Sequence, residues 1–215
     1  MRVLIACESS GIVREAFRKH GHDAWSCDLL PAEDGSPYHF QCDIREVLND
    51  GWDLMVAHPD CTYLCSSGLH WNKRRPDRER KTREALGFVL ELMNAPIPHK
   101  AIENPIGRIN TAIRKPDQYV QPHEFGHDAS KRTGLWLENL PPIRPTMHVE
   151  PRYVDGRPRW ANQTDSGQNR LGPSADRWRE RARTYEGIAG AMAEQWTFFL
   201  LNQHLNAQKE AQCTK

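Results

Sequence analysis

The first thirty residues carry a pattern that few folds accept: an apolar run, a tight polar turn, an amphipathic stretch and a second apolar run. Residues 2–7 (RVLIAC) predict a buried strand, and residues 8–11 (ESSG) predict a turn. Residues 12–21 place apolar side chains at helical spacing and end on a glycine. Residues 22–30 predict a second strand, with an acid, Asp28, near its end. The opening is therefore predicted to be a βαβ unit.

The alternation of strands and helices continues along the chain. Further strands are predicted at 40–43, 52–58, 99–105 and 134–139, and helices at 44–50 and 83–95. A last helix begins at about Ser174 or Tyr185 and ends near Leu205, whereas residues 140–175 show little periodicity and predict a long surface segment. We therefore expect an α/β fold, with a parallel or mostly parallel sheet and helices on both faces.

Composition narrows the class of protein. A chain of 215 residues suits one domain with a full core, or one core with a small appendage. The net charge of +1 means that any phosphate-binding surface must be a local patch. The six cysteines are scattered, Met1–Ala6 is too short an apolar run for a signal peptide, and no stretch is apolar enough to span a membrane. We expect a cytoplasmic protein with reduced thiols.

The turn after the first strand and the acid after the second predict a cofactor site. Ligands of open α/β sheets bind at the carboxyl ends of the strands, where an acid such as Asp28 can hold ribose hydroxyls. The turn has one glycine rather than a G-x-G-x-x-G set, which argues against a pyrophosphate and for a cofactor without phosphates. The alternative is an ordinary α/β turn with a surface aspartate.

Cys61 lies in the loop AHPDCTYLCSSG (57–68), directly after a predicted strand. A cysteine at this edge can be a nucleophile if nearby donors or positive charges favour its thiolate. A basic run follows the loop, formed by Lys73, Arg74, Arg75, Arg78 and Arg80. The alternative is a structural cysteine.

The same loop also allows a metal site. His58, Cys61, Cys65 and His70 are spaced H-x2-C-x3-C-x4-H, which is close to the spacing of zinc ligands. No second cysteine pair completes the pattern elsewhere, so zinc is the weaker interpretation.

Glu103 lies near the end of a predicted strand, within the apolar run AIENP (101–105), and is predicted to be partly buried. Burial would raise its pKa and let it act as a proton donor near neutral pH. The alternative is a turn in which Glu103 is only a capping residue.

The order and spacing of these motifs resemble the DNA cytosine-C5 methyltransferases, and more closely their short phage and prophage members. The family's loop G-P-P-C-Q-P-F-S-x-x-G aligns without gaps on residues 58–68, and its Glu-Asn-Val appears as Glu103-Asn104-Pro105. Weaker matches are CESSGIVREAF (7–17), Asp28, Asp43-Ile44 and TYEGIAGAMAEQW (184–196). The resemblance covers roughly residues 2–139 and 184–200.

The resemblance implies a Rossmann-like fold dependent on S-adenosylmethionine, with a catalytic domain of residues 1–139 plus 184–207. Cys61 would be the nucleophile that adds to C6 of cytosine, and Glu103 would act at N3. Asp28 would hold the ribose and Asp43 the adenine edge of the cofactor. The full set of cofactor-binding residues would be Cys7, Glu8, Ser9, Gly11, Asp28, Asp43, His58 and Pro59.

Two departures from the family lie close to the reacting base. Asp60 stands where the family usually has proline, and a carboxylate there should disfavour the thiolate of Cys61 unless it points away or is paired. The family's Gln-x-Arg-x-Arg is reduced to residues 130–133 (SKRT). Lys131 is predicted to replace the first arginine, and Arg132 is its rival for that role.

The largest departure is the target-recognition region, reduced to residues 140–183. It holds basic residues interleaved with Trp160, which suits backbone contacts and base stacking, although a solvated loop would have the same composition. The predicted substrate-binding residues are Asn104, Arg132, Trp160 and Arg170. We expect a monomer or weak dimer that acts on duplex or single-stranded DNA in a bacterial host, encoded by a phage or prophage. RNA, a free pyrimidine nucleotide, or a catalytically inactive nucleic-acid-binding role stay open as alternatives.

Overall fold

The computed structural model describes residues 1–72, 74–174 and 177–213. Its centre is a seven-stranded sheet in the order β3-β2-β1-β4-β5-β7-β6. The strands are β1 (Arg2–Ala6), β2 (Asp23–Asp28), β3 (His39–Gln41), β4 (Leu54–Ala57), β5 (His99–Pro105), β6 (Gln118–Val120) and β7 (Thr133–Glu138). The helices are α1 (Ile12–Lys19), α2 (Ser66–Leu69), α3 (Pro76–Met93), α4 (Arg108–Ala112), α5 (Arg177–Ala182) and α6 (Glu186–Cys213).

The five strands from β3 to β5 are parallel, and β7 runs antiparallel to both of its neighbours. The order 3-2-1-4-5 is that of the doubly wound Rossmann sheet, so the fold is compatible with a Rossmann-like one. The expectation of an α/β fold with a mostly parallel sheet is confirmed.

The central strands are buried on both faces, as the continuous apolar runs predict. In β1, Val3 and Ile5 pack into the core beneath α1 and α6, where Trp196 is fully buried. Leu4 points to the opposite core, which α3 covers with Leu92. Each fully buried side chain of this size stabilises the fold by roughly 1.5–3 kcal/mol.

Several predicted boundaries were wrong. Helix α3 begins at Pro76 rather than at residue 83, because proline fits the first turn of a helix and Asp77 and Glu79 favour its N-terminus. The helix expected at 44–50 is only a 3₁₀ turn, Ile44–Glu46, which Asp43 caps. The last helix is divided into α5 and α6.

Residues 140–175 are not wholly irregular. They contain a hairpin of β8 (Arg152–Val154) and β9 (Arg157–Arg159). Its two turn residues, Asp155 and Gly156, have φ values of 49° and 71°, which is the geometry that an Asp-Gly pair favours in tight hairpins. The Asp-Gly signal was present in the sequence and was missed.

Within the described ranges, no helix combines the length and the apolar character needed to cross a bilayer.

Candidate active site

The carboxyl ends of the parallel strands bring the predicted site residues to one edge of the sheet. Ala6 is level with Cys27 on one side and with Ala57 on the other, and Ala57 is level with Ile102. The next residue of each strand therefore lies at the same edge, and these residues are Cys7, Asp28, His58 and Glu103.

The environment of Cys7 at this edge is strongly acidic. Burial, which is the largest cause, and the carboxylates of Asp28, Asp43 and Asp60 together raise the pKa of its thiol to about 12, while Arg45 opposes them. Cys7 also has a φ of 58°, an uncommon conformation for a residue other than glycine. Three carboxylates that act on one buried atom favour a positively charged ligand and disfavour a phosphate.

The predicted cofactor turn is held from inside by Glu8. This side chain is buried, and it accepts hydrogen bonds from the backbone N–H groups of Val13 (2.8 Å) and Arg14 (3.2 Å). Gly11 has a φ of 74°, and a Cβ atom there would lie 2.3 Å from Nη2 of Arg14. Since the Glu8 carboxylate is committed to the N-terminus of α1, a ligand would meet the backbone of this turn.

Ser9, at the tip of the turn, faces the segment after β2. Its hydroxyl donates to Oε1 of Glu33 (3.3 Å), which also receives Nε of Arg179 at 3.6 Å. Arg183 pairs with the other carboxylate oxygen of Glu33. The cofactor turn is thus tied to α5 and to the residue that follows it, a link that the sequence did not predict.

Asp28 and Asp43 both use part of their hydrogen-bonding capacity locally. Oδ1 of Asp28 accepts from the backbone of Leu30 (2.9 Å). Asp43 accepts from the backbone and from Nη1 of Arg45, both at 3.0 Å, and these contacts lower its pKa, the backbone bond most. A carboxylate offers about four acceptor positions, so both can still bind a ligand.

The loop that carries Cys61 is held on one side by the segment after β5. Asn104, which is buried, donates Nδ2 to the carbonyl of Pro59 (2.7 Å), and the backbone of Arg108 donates to the carbonyl of Leu64 (2.7 Å). A Cβ atom on Gly107 would lie 1.9 Å from the Leu64 oxygen, so only glycine allows this approach. Asn104, predicted to bind substrate, positions the loop here.

On its other side the loop is held by α3. Arg78 donates Nη2 to the carbonyl of Thr62 (2.7 Å) and its guanidinium lies 4.9 Å from the ring centre of Tyr63. Thr82 donates to the carbonyl of Tyr63 (2.9 Å). Arg78 from the basic run is therefore a support of the loop. Lys73, also part of that run, lies outside the described residues.

The thiol of Cys61 is protonated in the free protein. Burial, which is the largest cause, and the negative charges of Asp60 and Glu103 raise its pKa to about 11 against the opposing charge of Lys131. Asp60 turns its Oδ1 toward the backbone and hydroxyl of Thr62 (2.9 and 2.7 Å). The disfavoured thiolate expected from Asp60 is thus confirmed, whereas a thiolate already favoured in the free protein is not found.

The expected rise in the pKa of Glu103 is wrong. Burial does raise it and is the largest single contribution, but the hydrogen bond with His58, the charge of Lys131 and the Thr133 side chain together outweigh it. The net pKa is lowered. Nδ1 of His58 lies 3.0 Å from Oε2 of Glu103, and the two side chains are only 9% and 12% exposed. Burial was predicted correctly from the apolar run, but the partners could not be.

Of the two rival cations, Lys131 is the one whose charge acts on Glu103. The two residues line a small pocket together, and Nζ of Lys131 donates to the backbone carbonyl of Arg183 (3.1 Å). Arg132 instead places its guanidinium 4.1 Å from the ring centre of Tyr119.

Thr133 and Tyr185 belong to this pocket and were missed in the sequence. Thr133 could have been found from the match at residues 130–133 (SKRT), because it lies two residues after Lys131 and begins β7. Tyr185 precedes α6, and burial raises its pKa. Nothing in the local sequence distinguished it from an ordinary helix-start residue.

The two residues predicted to bind substrate in the 140–183 segment are held in local contacts. Trp160 stacks on His123, with ring centres 4.2 Å apart and planes at 16°, so one face of the indole is covered. Arg170 donates Nε to the carbonyl of Gln163 (2.8 Å) and is exposed.

The segment is nevertheless tied to Asp128 and Ser130, which lie just before Lys131 and β7. Asn162 accepts from the backbone N–H of Ser130 and donates to its carbonyl, both at 2.9 Å. Asp128 accepts from the backbone of Ala161 (2.9 Å). These contacts hold part of the 140–183 segment beside the start of β7.

The contacts of the predicted zinc ligands do not favour a metal site. His58 directs Nδ1 at Glu103, and Cys65 contacts the Ser67 hydroxyl (3.3 Å). In the part of the chain that the structure describes, no three His, Cys, Asp or Glu residues are arranged to hold a metal ion. The five cysteines described are free thiols.

A separate cavity of about 340 Å³ lies between α1 and α6 and shares Gly11 with the predicted cofactor set. It is lined by Ser10, Gly11, Ile12, Glu15, Ala16, Lys19, His20, Asp34, Glu186 and Gly190. Because the predicted nucleophile and Glu103 are not among its walls, we assign the candidate chemistry to the carboxyl edge. This chain matches no protein-family model and no curated protein.

Proposed function

We propose that this chain transfers a methyl group from S-adenosylmethionine to C5 of cytosine in DNA, with Cys61 as the nucleophile. The observation that carries the proposal is the mutual electrostatic influence of three residues from separate elements. Lys131 lowers the pKa of both Cys61 and Glu103, and Glu103 raises that of Cys61. A thiol, a carboxylate and a cation within reach of one another are the groups that this reaction needs.

The acidic surroundings of Cys7 support the choice of cofactor. S-adenosylmethionine carries a sulfonium and an ammonium group and no phosphate, which suits an edge formed by Asp28, Asp43 and Asp60. Asp28 would hold the ribose hydroxyls and Asp43 the adenine edge. The backbone from Cys7 to Gly11 would meet the amino-acid portion.

The mechanism requires the cytosine to leave the duplex or to arrive single-stranded, because its ring cannot be attacked within the stack. Cys61 loses its proton to solvent and its sulfur adds to C6, while Glu103 hydrogen-bonds or protonates N3 so that negative charge does not build up on the ring. S-adenosylmethionine, when bound, supplies the methyl group that C5 takes. A base then removes the C5 proton, and the sulfur of Cys61 leaves C6.

The high pKa of the Cys61 thiol means that the bound substrate must help to form the thiolate. At about 11 the free thiol is a poor nucleophile at neutral pH, and Asp60 adds to the penalty. A bound base excludes water and brings the site closer around Lys131, the positive charge that favours the thiolate. We propose that the thiolate forms only in the complex with substrate.

The same observation favours one rival function, a catalytically inactive relative that binds nucleic acid. A thiol held protonated by burial and by Asp60 is what such a relative would have. The recognition segment would bind nucleic acid equally well in either case.

The test is transfer of tritium from methyl-labelled S-adenosylmethionine to duplex DNA, single-stranded DNA, RNA and dCMP. Cys61→Ala should abolish transfer while cofactor binding survives, whereas Cys65→Ala, in the same loop, should retain transfer. Full transfer by Cys61→Ala would refute the assignment. Label in RNA or dCMP but not in DNA would replace the proposed substrate.

A further inference from the structure

We propose that His58 is a positioning residue of the base site, which supplies Glu103 with the proton that Glu103 passes to the substrate. This inference rests on the proposed function and deepens it. It moves His58 from the cofactor-binding set, where the resemblance places it, to the chemistry at N3 of cytosine.

The backbone fixes the pair before any substrate binds. His58 follows β4 directly, and its N–H donates to the carbonyl of Ala6 (2.9 Å). Since β4 and β5 are in register at Ala57 and Ile102, His58 and Glu103 come next to one another. Nδ1 of the imidazole lies 3.0 Å from the carboxylate, and more than four-fifths of both side chains is buried.

The second ring nitrogen points to a missing partner. Nε2 of His58 is buried and has no hydrogen-bond partner among the described residues. Buried polar atoms are nearly always hydrogen-bonded, so an unpaired one beside a candidate site marks a place where a ligand or water completes it. The neighbouring Oδ1 of Asn104 is buried and unpaired in the same way.

The charge state of Glu103 explains why a partner is needed. Burial alone would protonate this carboxyl, but its contacts lower its pKa, so it is ionised at neutral pH and has no proton to give. The titratable groups around the pair include Lys131, Cys61 and Tyr185, but it is Nδ1 of His58 that lies 3.0 Å from the carboxylate.

The proton that reaches N3 comes from His58 by way of Glu103. The thiolate of Cys61 forms a bond to C6, and the electron pair of the ring moves to N3. The Glu103 carboxylate takes the Nδ1 proton of a protonated His58, and the carboxyl so formed gives a proton to N3. His58 ends neutral, Glu103 ends as it began, and the adduct carries no extra charge.

The first experiment compares His58→Asn with His99→Asn. Asparagine keeps a donor near the position of Nδ1 but holds no transferable proton. His99 lies at the opposite end of β5, with its Nδ1 3.1 Å from the backbone carbonyl oxygen of Asp53. Single-turnover methyl transfer at saturating cofactor should fall about 10²–10⁴-fold at pH 8 in His58→Asn, the usual range for lost general acid catalysis. The deficit should shrink as the pH is lowered, because solvent then protonates Glu103 more often.

Cofactor affinity separates this role from direct cofactor binding. The dissociation constant for S-adenosylmethionine should be unchanged in His58→Asn and in the His99→Asn control. Weaker cofactor binding, with a normal transfer rate once cofactor is saturating, would overturn the inference. So would a deficit that is the same at every pH, which is what a purely structural role predicts.

A readout without activity keeps the inference distinct from the proposed function. In protein with ¹⁵N-labelled histidine, the imidazole shifts of His58 should report a proton on Nδ1, and Glu103→Gln should move them while leaving those of His99 in place. If the wild-type protein methylates nothing, the proposed function fails, yet these spectra still test the pair. A bare Nδ1, or shifts indifferent to Glu103→Gln, would refute it.

Discussion

Asp60 and Lys131 should set the reactivity of Cys61 in opposite directions. Replacing Asp60 with asparagine removes a negative charge that raises the pKa of the thiol, and replacing Lys131 with glutamine removes the positive charge that lowers it. The first change should therefore speed the reaction of Cys61 with an alkylating agent, and the second should slow it.

The magnitude follows from the pKa of the thiol. At about 11 rather than 9.0, Cys61 holds about 100-fold less thiolate near neutral pH than an ordinary cysteine. A more basic thiolate is intrinsically a better nucleophile, which recovers roughly tenfold, so Cys61 should react about tenfold more slowly. Asp60 is exposed and partly screened by salt, so its removal should speed the reaction about two- to threefold.

The assay is alkylation by iodoacetamide, followed by site-resolved mass spectrometry, with Cys65 as the internal reference in the same loop. The wild-type rate at Cys61 should rise about tenfold per pH unit up to pH 9.5 without levelling off, because the pKa lies above that range. A plateau below pH 9, or changes of the same sign in Asp60→Asn and Lys131→Gln, would refute the electrostatic account.

Two further predictions concern stability. Gly107→Ala should destabilise the fold by about 1–3 kcal/mol, since its Cβ would lie 1.9 Å from the Leu64 oxygen. Gly87→Ala, whose Cβ meets nothing within 4 Å in α3, should stabilise the fold by about 0.5–1 kcal/mol. Thermal unfolding of both variants measures the difference, and equal shifts in their unfolding temperatures would contradict it. The pKa of Glu103 is lowered from 4.5, so its stabilising contribution is complete above that pH and is lost as the pH falls below it. The free energy of unfolding, measured with urea, should therefore decrease less on acidification in Glu103→Gln than in wild type. A steeper acid loss in Glu103→Gln would show that the sign is wrong.

Much of the fold could be predicted from the sequence because the central strands are short continuous apolar runs. Both ends of β5 were predicted correctly, and the position of Glu103 at the carboxyl edge followed from them. The short strands β6 and β8 were missed, since three residues carry too little pattern to be distinguished from a loop.

The site could be predicted only as a set of residue types in order. The positions of Cys61 and Glu103 were recognisable, but the pKa of Glu103 depends on His58 and Thr133, which approach it only in the folded sheet. The support of the Cys61 loop by Gly107 was equally invisible, because a glycine needed for close approach looks like any other glycine in a sequence.

The central claim is that Cys61 forms a bond to cytosine during methyl transfer. The most direct measurement is intact mass spectrometry after incubation with S-adenosylmethionine and DNA containing 5-fluorocytosine, in which fluorine replaces the C5 proton and blocks release of the enzyme. A covalent protein–DNA adduct located at Cys61 and absent from Cys61→Ala is the predicted result. No adduct, or an adduct at Cys65 or another residue, would contradict the account.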